Sequence, residues 1–176
     1  MTAENMHKNV EIREYRDSDF DACRSLWAEL VLYHRDIYDS LDIGGSDPGL
    51  GFEQYLEDPH RVKTWVALFD GKIVGLAGLL LNTDEHSEVE PIIVSEKYRG
   101  RRIGSALMKR VIAAAEQTGA RFLSIRPGAR NEKSFSRFVR LGFDRVWTIE
   151  LTRDLKPELG MKWLPGLKIH DNELEY

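Results

Sequence analysis

The sequence predicts a mixed α/β fold, in which a mostly antiparallel central sheet is flanked by helices. Three observations lead there. Asp70-Gly71 sits between two apolar runs, Thr64–Phe69 and Ile73–Leu81, and is a hairpin turn signal because glycine tolerates positive φ. A strand over Val89–Val94, a long helix over Ile103–Gln117 and a strand over Phe122–Ile125 follow in βαβ order. The 176 residues are 42% hydrophobic, enough for one domain with its own core.

The elements read in order. Val10–Tyr15 alternates and predicts an opening strand. Asp17, Ser18 and Asp19 offer N-caps, and the apolar positions from Phe20 through Leu26, Leu30 and His34 recur at helical spacing. Residues 39–51 are rich in Gly, Asp, Ser and Pro and read as a loop. Phe52–Leu56 predicts a short helix ended near Asp58-Pro59. Ile73–Leu81 is apolar on both faces, as a central strand covered on both sides would be. Pro91 inside the next strand forbids one ladder hydrogen bond and predicts a bulge. Gly119 and Gly142 stop the helices Ile103–Gln117 and Asn131–Leu141, and Val146–Leu151 predicts a last strand. The tail from Lys156 holds Pro157, Gly160, Pro165 and Gly166 and shows no period. Its Trp163, Leu164, Leu167, Ile169 and Tyr176 are too apolar for a free end, so a domain over 1–155 and a tail over 156–176 packed on the body or on a second subunit are expected.

Composition excludes several classes. No stretch approaches the roughly 18 apolar residues of a membrane span, and Met1–Val10 has no apolar leader core. One cysteine, Cys23, allows neither an internal disulfide nor a multi-thiolate zinc site, so no metal is expected and a reducing cytoplasm is the natural setting. Net charge is −4, but 14 acidic and 5 basic side chains lie in residues 1–60, against 15 and 20 in residues 61–176. Overall acidity argues against a nucleic-acid partner, while the later basic excess suits an anionic ligand.

The informative stretch is Val94-Ser95-Glu96-Lys97-Tyr98-Arg99-Gly100-Arg101-Arg102-Ile103-Gly104-Ser105. A strand ends, a basic turn follows and a long helix begins. A helix N-terminus presents unpaired N–H groups and a positive dipole end. Gly100 and Gly104 let a ligand approach the backbone closely, and Arg99, Arg101 and Arg102 add charge. A pyrophosphate fits such a cradle; an ordinary solvated basic turn is the alternative reading.

Tyr98–Leu107 resembles the acyl-CoA pyrophosphate loop of the GNAT N-acetyltransferase superfamily, whose pattern is Arg/Gln-x-x-Gly-x-Gly/Ala. Arg99 and Gly104 match its ends, while Arg102 stands at the inner glycine. Asn131 followed by Gly142-Phe143 and the Asp70-Gly71 hairpin resemble further parts, so the likeness covers roughly residues 10–153. The resemblance implies a parallel strand pair that splays, here Val89–Val94 and Phe122–Ile125, with acetyl-CoA as cosubstrate entering the gap. Backbone groups of Ile92, Ile93 and Val94 would pair with its pantetheine arm. Arg99, Gly100, Arg101, Arg102, Ile103, Gly104 and Ser105 would cradle the phosphates, and Asn131 would contact the arm; the alternative for Asn131 is a helix N-cap.

The implied reaction is attack of a primary amine, from a small molecule or peptide, on a thioester. A protonated amine has no lone pair, so a base must take its proton. Glu88 and Glu90 lie two apart on one strand and share a face; Glu90 is nearer the splay. Their repulsion should raise one of the two pKa values. His86 is a further titratable group near the turn. The tyrosine that supplies the leaving thiolate's proton in the family would fall at Phe138, so that hydroxyl is missing. The acidic Asp36, Asp39, Asp42 and Asp47 would suit a cationic acceptor. A protein of this fold that holds acyl-CoA without transfer, as a sensor or subunit, is the alternative, and a homodimer is compatible with either.

Overall fold

The computed structural model describes residues 10–156 and 162–176. The leader reading of Met1–Val10, bar Val10 itself, and the Pro157 and Gly160 part of the tail lie outside them. The described chain divides into two compact units. One runs to Leu32 and resumes over Gly44–Arg126; the other comprises Tyr33–Ile43 and Pro127–Tyr176.

The first unit holds one five-stranded sheet in the order β1-β2-β3-β4-β5, with strands Val10–Glu14, Arg61–Phe69, Lys72–Thr83, His86–Val94 and Phe122–Ser124. The first four pair antiparallel, and β4 pairs with β5 in parallel. This is the mixed, mostly antiparallel sheet that the hairpin and the βαβ pattern predicted. Helix α1 (Phe20–Tyr38) belongs to this unit as far as Leu32, and α2 (Leu50–Glu57) and α3 (Ile103–Thr118) belong to it entirely.

Two layers of side chains cover the sheet. On one face Cys23 and Leu26 of α1 and Phe52 and Tyr55 of α2 pack on Val66, Leu76, Leu80 and Ile93. On the other, Leu107 of α3 approaches so closely that a Cβ at Gly75 would lie 3.0 Å from it. Residues Val74–Leu80 are consequently buried without a break, which is why β3 reads apolar on both faces. Cys23 is fully buried, and burial pushes its thiol up to about 12.

The start of α1 is fixed by one carboxylate. Asp19 accepts from both terminal nitrogens of Arg13, at 2.6 and 2.8 Å, and from the Arg16 backbone N–H at 2.8 Å. The Arg13 guanidinium holds this carboxyl below its usual range; burial opposes the shift and the Arg16 amide assists it.

The second unit contains the end of α1, α4 (Glu132–Arg140) and a hairpin of β6 (Pro165–Ile169) and β7 (Asn172–Glu175). Two expectations differ here. The predicted strand Val146–Leu151 makes no ladder, and Val146, Trp147, Ile149 and Leu151 are exposed. Alternation prescribes which faces a strand would present, but it supplies no partner edge. Conversely, the tail that showed no period forms a hairpin, because His170 and the residue after it turn the chain, with His170 at φ +54°. Arg130 ties this hairpin down. Its Nε donates to the Tyr176 carbonyl at 3.0 Å, its Nη1 to the Tyr38 carbonyl at 3.2 Å and its Nη2 to the Lys162 carbonyl.

Candidate active site

Strand β4 departs from regular geometry where Pro91 predicted it would. Ala77 faces Ile92, but Leu79 faces Val89, so β4 spends one residue more than β3 and bulges at Glu90-Pro91. Gly78 lies opposite the bulge. A Cβ there would collide with the Tyr55 hydroxyl and the Glu90 carbonyl oxygen, so only glycine lets the three meet. Tyr55 is buried, bonds the Thr64 hydroxyl at 2.7 Å, and burial pushes its phenol up to about 12.

Parallel pairing of β4 with β5 covers His86–Glu88 against Phe122–Ser124 and stops there, so among the described residues the edge of β4 beyond Glu88 faces no strand. The ladder with β3 decides which backbone groups point to that edge. Ser95 donates to the Val74 carbonyl at 2.9 Å, and facing pairs alternate between bonded and unbonded. Ile93, opposite Leu76, therefore turns its backbone toward β3, whereas Ile92 and Val94 turn theirs to the open edge. The Ile93 side chain lies in the core. The Val94 carbonyl accepts from Arg99 Nε at 3.0 Å.

The turn after β4 is held from α1: the Glu29 carboxylate accepts from the Glu96 N–H at 2.6 Å, at the head of a short 3-10 turn over Glu96–Tyr98. Gly100 takes φ +79°, and Arg102, at the position where the resembling loop has glycine, takes φ +63°. The loop thus keeps the left-handed conformation and an L side chain bears its strain. Arg102 is the N-cap of α3 and its side chain makes no capping bond, so the first-turn N–H groups of Ile103, Gly104 and Ser105 have no helical acceptor. A Cβ at Gly104 would meet only Val94, at 3.6 Å, so the protein's own packing does not require glycine there. The guanidinium of Arg101 lies 5.0 Å over the Phe69 ring, which in turn is 5.5 Å from the Tyr98 ring. Arg99 and Ser105 border the same turn, and Ile103 is anchored in the core.

The two carboxylates occupy different environments. Glu88 is buried and accepts from Arg126 Nε at 2.5 Å, from Arg126 Nη2 at 2.9 Å and from Asn82 Nδ2 at 2.8 Å. Glu90 is half exposed, and its nearest cation is Arg126 Nη2 at 3.7 Å. Burial pushes the Glu90 carboxyl above the usual glutamate range; repulsion from Glu88 adds to this, Arg126 opposes it and Asp58 adds a little more. Arg126, two residues past the last paired position of β5, is the participant that sequence reading missed. Its only signal was its place after a strand parallel to that of Glu88. His86 packs its ring 6.1 Å from Phe122.

Asn131 and Phe138 lie in the second unit. Asn131 is buried at the N-cap of α4, where its side-chain oxygen accepts from Ser134 N–H and from the Tyr33 hydroxyl, each at 3.3 Å. Phe138 is buried and packs edge-on 6.4 Å from Phe143. The expected acidic acceptor surface is divided: Asp47 pairs with Arg24 in the first unit, and Asp36, Asp39 and Asp42 fall in the second. Among the described residues no group of three His, Cys, Asp or Glu side chains could hold a metal ion, and no helix is long and apolar enough to cross a membrane.

A mixed sheet whose fourth strand bulges and parts from a parallel neighbour, ahead of a basic turn and an uncapped helix, defines the acyl-CoA N-acyltransferase fold class. Residues 20–143 match the acetyltransferase (GNAT) family, and the chain belongs to it. It is similar to an uncharacterized N-acetyltransferase of Mycobacterium bovis, 32% identical over 92 residues that span 52% of this chain and 58% of that relative. The chain thus aligns with little more than half the length of that protein. An aminoalkylphosphonate N-acetyltransferase of Salmonella typhimurium is 26% identical over 138 residues, 76% of this chain and 84% of the relative. Among solved structures, AAC(6')-Iy in complex with the bisubstrate analog CoA-S-monomethyl-acetylneamine aligns with TM-score 0.62 at 18% identity, covering 84% of this chain and 99% of that one.

Proposed function

We propose that the protein transfers the acetyl group of acetyl-CoA to a primary amine of a small molecule or peptide, by direct attack in a ternary complex. The observation that carries this reading is the juxtaposition, within one unit, of the open β4 edge, the bulge bearing Glu90 and the uncapped start of α3 behind Arg99–Arg102. The residues fit the cosubstrate. Ile92 and Val94 offer backbone donors and acceptors along the open edge, as a strand would. Gly100, Arg101, Arg102, Gly104 and Ser105 surround amide groups suited to a diphosphate. The cofactor contact expected of Asn131 rests on the family resemblance, and a domain over 1–155 with an appended tail remains part of the same proposal.

The chemistry assigns the following roles. The amine nitrogen forms a bond to the thioester carbonyl carbon and the carbon–sulfur bond breaks. The nitrogen's proton passes to Glu90, directly or through water, and the Val94 N–H faces the edge where negative charge would develop on oxygen. Thiolate is a good leaving group and takes its proton from solvent, since Phe138 has none to give.

Release of free thiol from acetyl-CoA over a panel of polyamines, aminoglycosides, aminoalkylphosphonates and peptides tests the reading. Turnover on at least one amine, reduced about 100-fold or more in Glu90→Gln, is expected. Tight binding of CoA with no turnover on any amine would favour the alternative, a non-catalytic acyl-CoA sensor or subunit, to which the missing hydroxyl at Phe138 points. Absence of CoA binding would overturn both.

A further inference from the structure

We propose that Arg126 is a positioning residue: its fork onto Glu88 ties that carboxylate into the β4–β5 pair and leaves Glu90 as the carboxylate that meets the amine. This deepens the acetyltransferase reading and rests on it.

The argument begins with register. Glu88 faces Ser124 at the last paired position of the parallel strands. Two residues further along each chain stand Glu90 and Arg126, so the guanidinium sits where the strands cease to pair. Its contacts with the two carboxylates are asymmetric. Two short bonds run to Glu88, 2.5 and 2.9 Å, and one longer approach runs to Glu90, 3.7 Å. With Asn82 at 2.8 Å, both Glu88 oxygens accept bonds, and the side chain is 4% exposed. A buried carboxylate already bonded at both oxygens has little room left to receive an incoming amine. Glu90 feels the same cation without being forked by it and keeps 47% of its side chain exposed.

The charged and titratable groups around Glu90 are few. Glu88 faces it from its own strand, Arg126 from beyond β5 and Asp58 from the end of α2, while the Tyr55 phenol of α2 lies against its carbonyl. Of these four, Arg126 is the cation. Among the described residues the two carboxylates thus share the charge of Arg126, and its fork decides which of them is left to face the amine.

The test uses the full-length chain and two readouts. One is kcat/KM against pH with acetyl-CoA and an amine acceptor; the other is a carbon-13 NMR titration of the Glu90 carboxyl, which needs no turnover. Glu88→Gln removes a like charge and releases Arg126 toward Glu90, so the Glu90 midpoint and the acid limb should fall by about 0.5 to 1 pH unit. Adding Arg126→Gln to Glu88→Gln removes the cation without leaving a buried unpaired carboxylate, and should move both back up by a similar amount. A merely structural arginine would lower stability without moving the midpoint in opposite directions. If Glu90→Gln retains the wild-type acid limb, Glu90 is not the base and the catalytic reading fails. If Glu90→Gln abolishes the limb while Glu88→Gln titrates like the wild type, or the double variant titrates like Glu88→Gln, the positioning role of Arg126 is overturned and Glu90 stands as the base. Should no amine turn over, the NMR midpoints alone decide whether Arg126 sets the ionisation of Glu90.

Discussion

At Arg102 the backbone adopts φ +63°, a conformation that costs an L residue about 1 kcal/mol or more and costs glycine little. The side chain thus contributes charge beside the α3 N-terminus while its backbone bears strain. Arg102→Gly and Arg102→Ala separate the two effects. Glycine should unfold in urea at about 1 kcal/mol higher stability than alanine. Both should weaken acetyl-CoA binding alike in calorimetry, because both lack the guanidinium. An alanine variant as stable as the glycine one would mean that the loop relaxes out of the left-handed region. From the sequence, Arg102 could be placed at a glycine position but not assigned a conformation, since compliance and strain look identical in one-letter code. The same holds for Glu88 and Glu90: their shared face was legible, whereas the cation bonded to Glu88 comes from beyond the end of β5, 38 residues away.

Local pattern and tertiary partnership separate at the scale of elements. The hairpin, the bulge at Pro91 and the crossover helix α3 were all readable, because turn glycines, a ladder-breaking proline and a 3.6-residue period act locally. The non-ladder state of Val146–Leu151 and the hairpin of Pro165–Glu175 were not, because pairing depends on what edge the chain meets. The entry to α1 lies between these cases. Asp19 reads as a cap, but its fork from Arg13, six residues away across the β1–α1 turn, shows only in three dimensions. Its folded pKa is depressed, so its contribution is complete above the ordinary aspartate range and fades as pH falls through the depressed value. Asp19→Asn should therefore cost about 2 kcal/mol at neutral pH, measured by thermal unfolding, and progressively less at acid pH. A penalty that stays constant with pH would show that packing, not charge, secures this turn.

For the whole molecule, the acidic excess before residue 61 was legible as arithmetic but not as structure. Some of its acids are held in ion pairs, Asp19 by Arg13, Asp47 and Glu53 by Arg24, and Glu14 by Lys63, but of these bases only Lys63 lies beyond residue 60. In the second unit Arg130 performs the comparable task with carbonyl groups, and stacks its guanidinium 4.9 Å over the Tyr38 ring. Arg130→Ala should speed amide hydrogen exchange across residues 165–175 about tenfold or more, without altering exchange in β2 or β3. Uniform acceleration in both units would show that the loosening is not confined to the hairpin. One buried side chain also has a practical outcome. Because the single cysteine of the sequence is buried on the inner face of α1, with its thiol pushed up to about 12, chromogenic reagents for mercaptans should register liberated coenzyme with little background from the polypeptide. By the same token, a cysteine engineered anywhere on the exterior becomes a unique point for attaching a fluorophore or spin label.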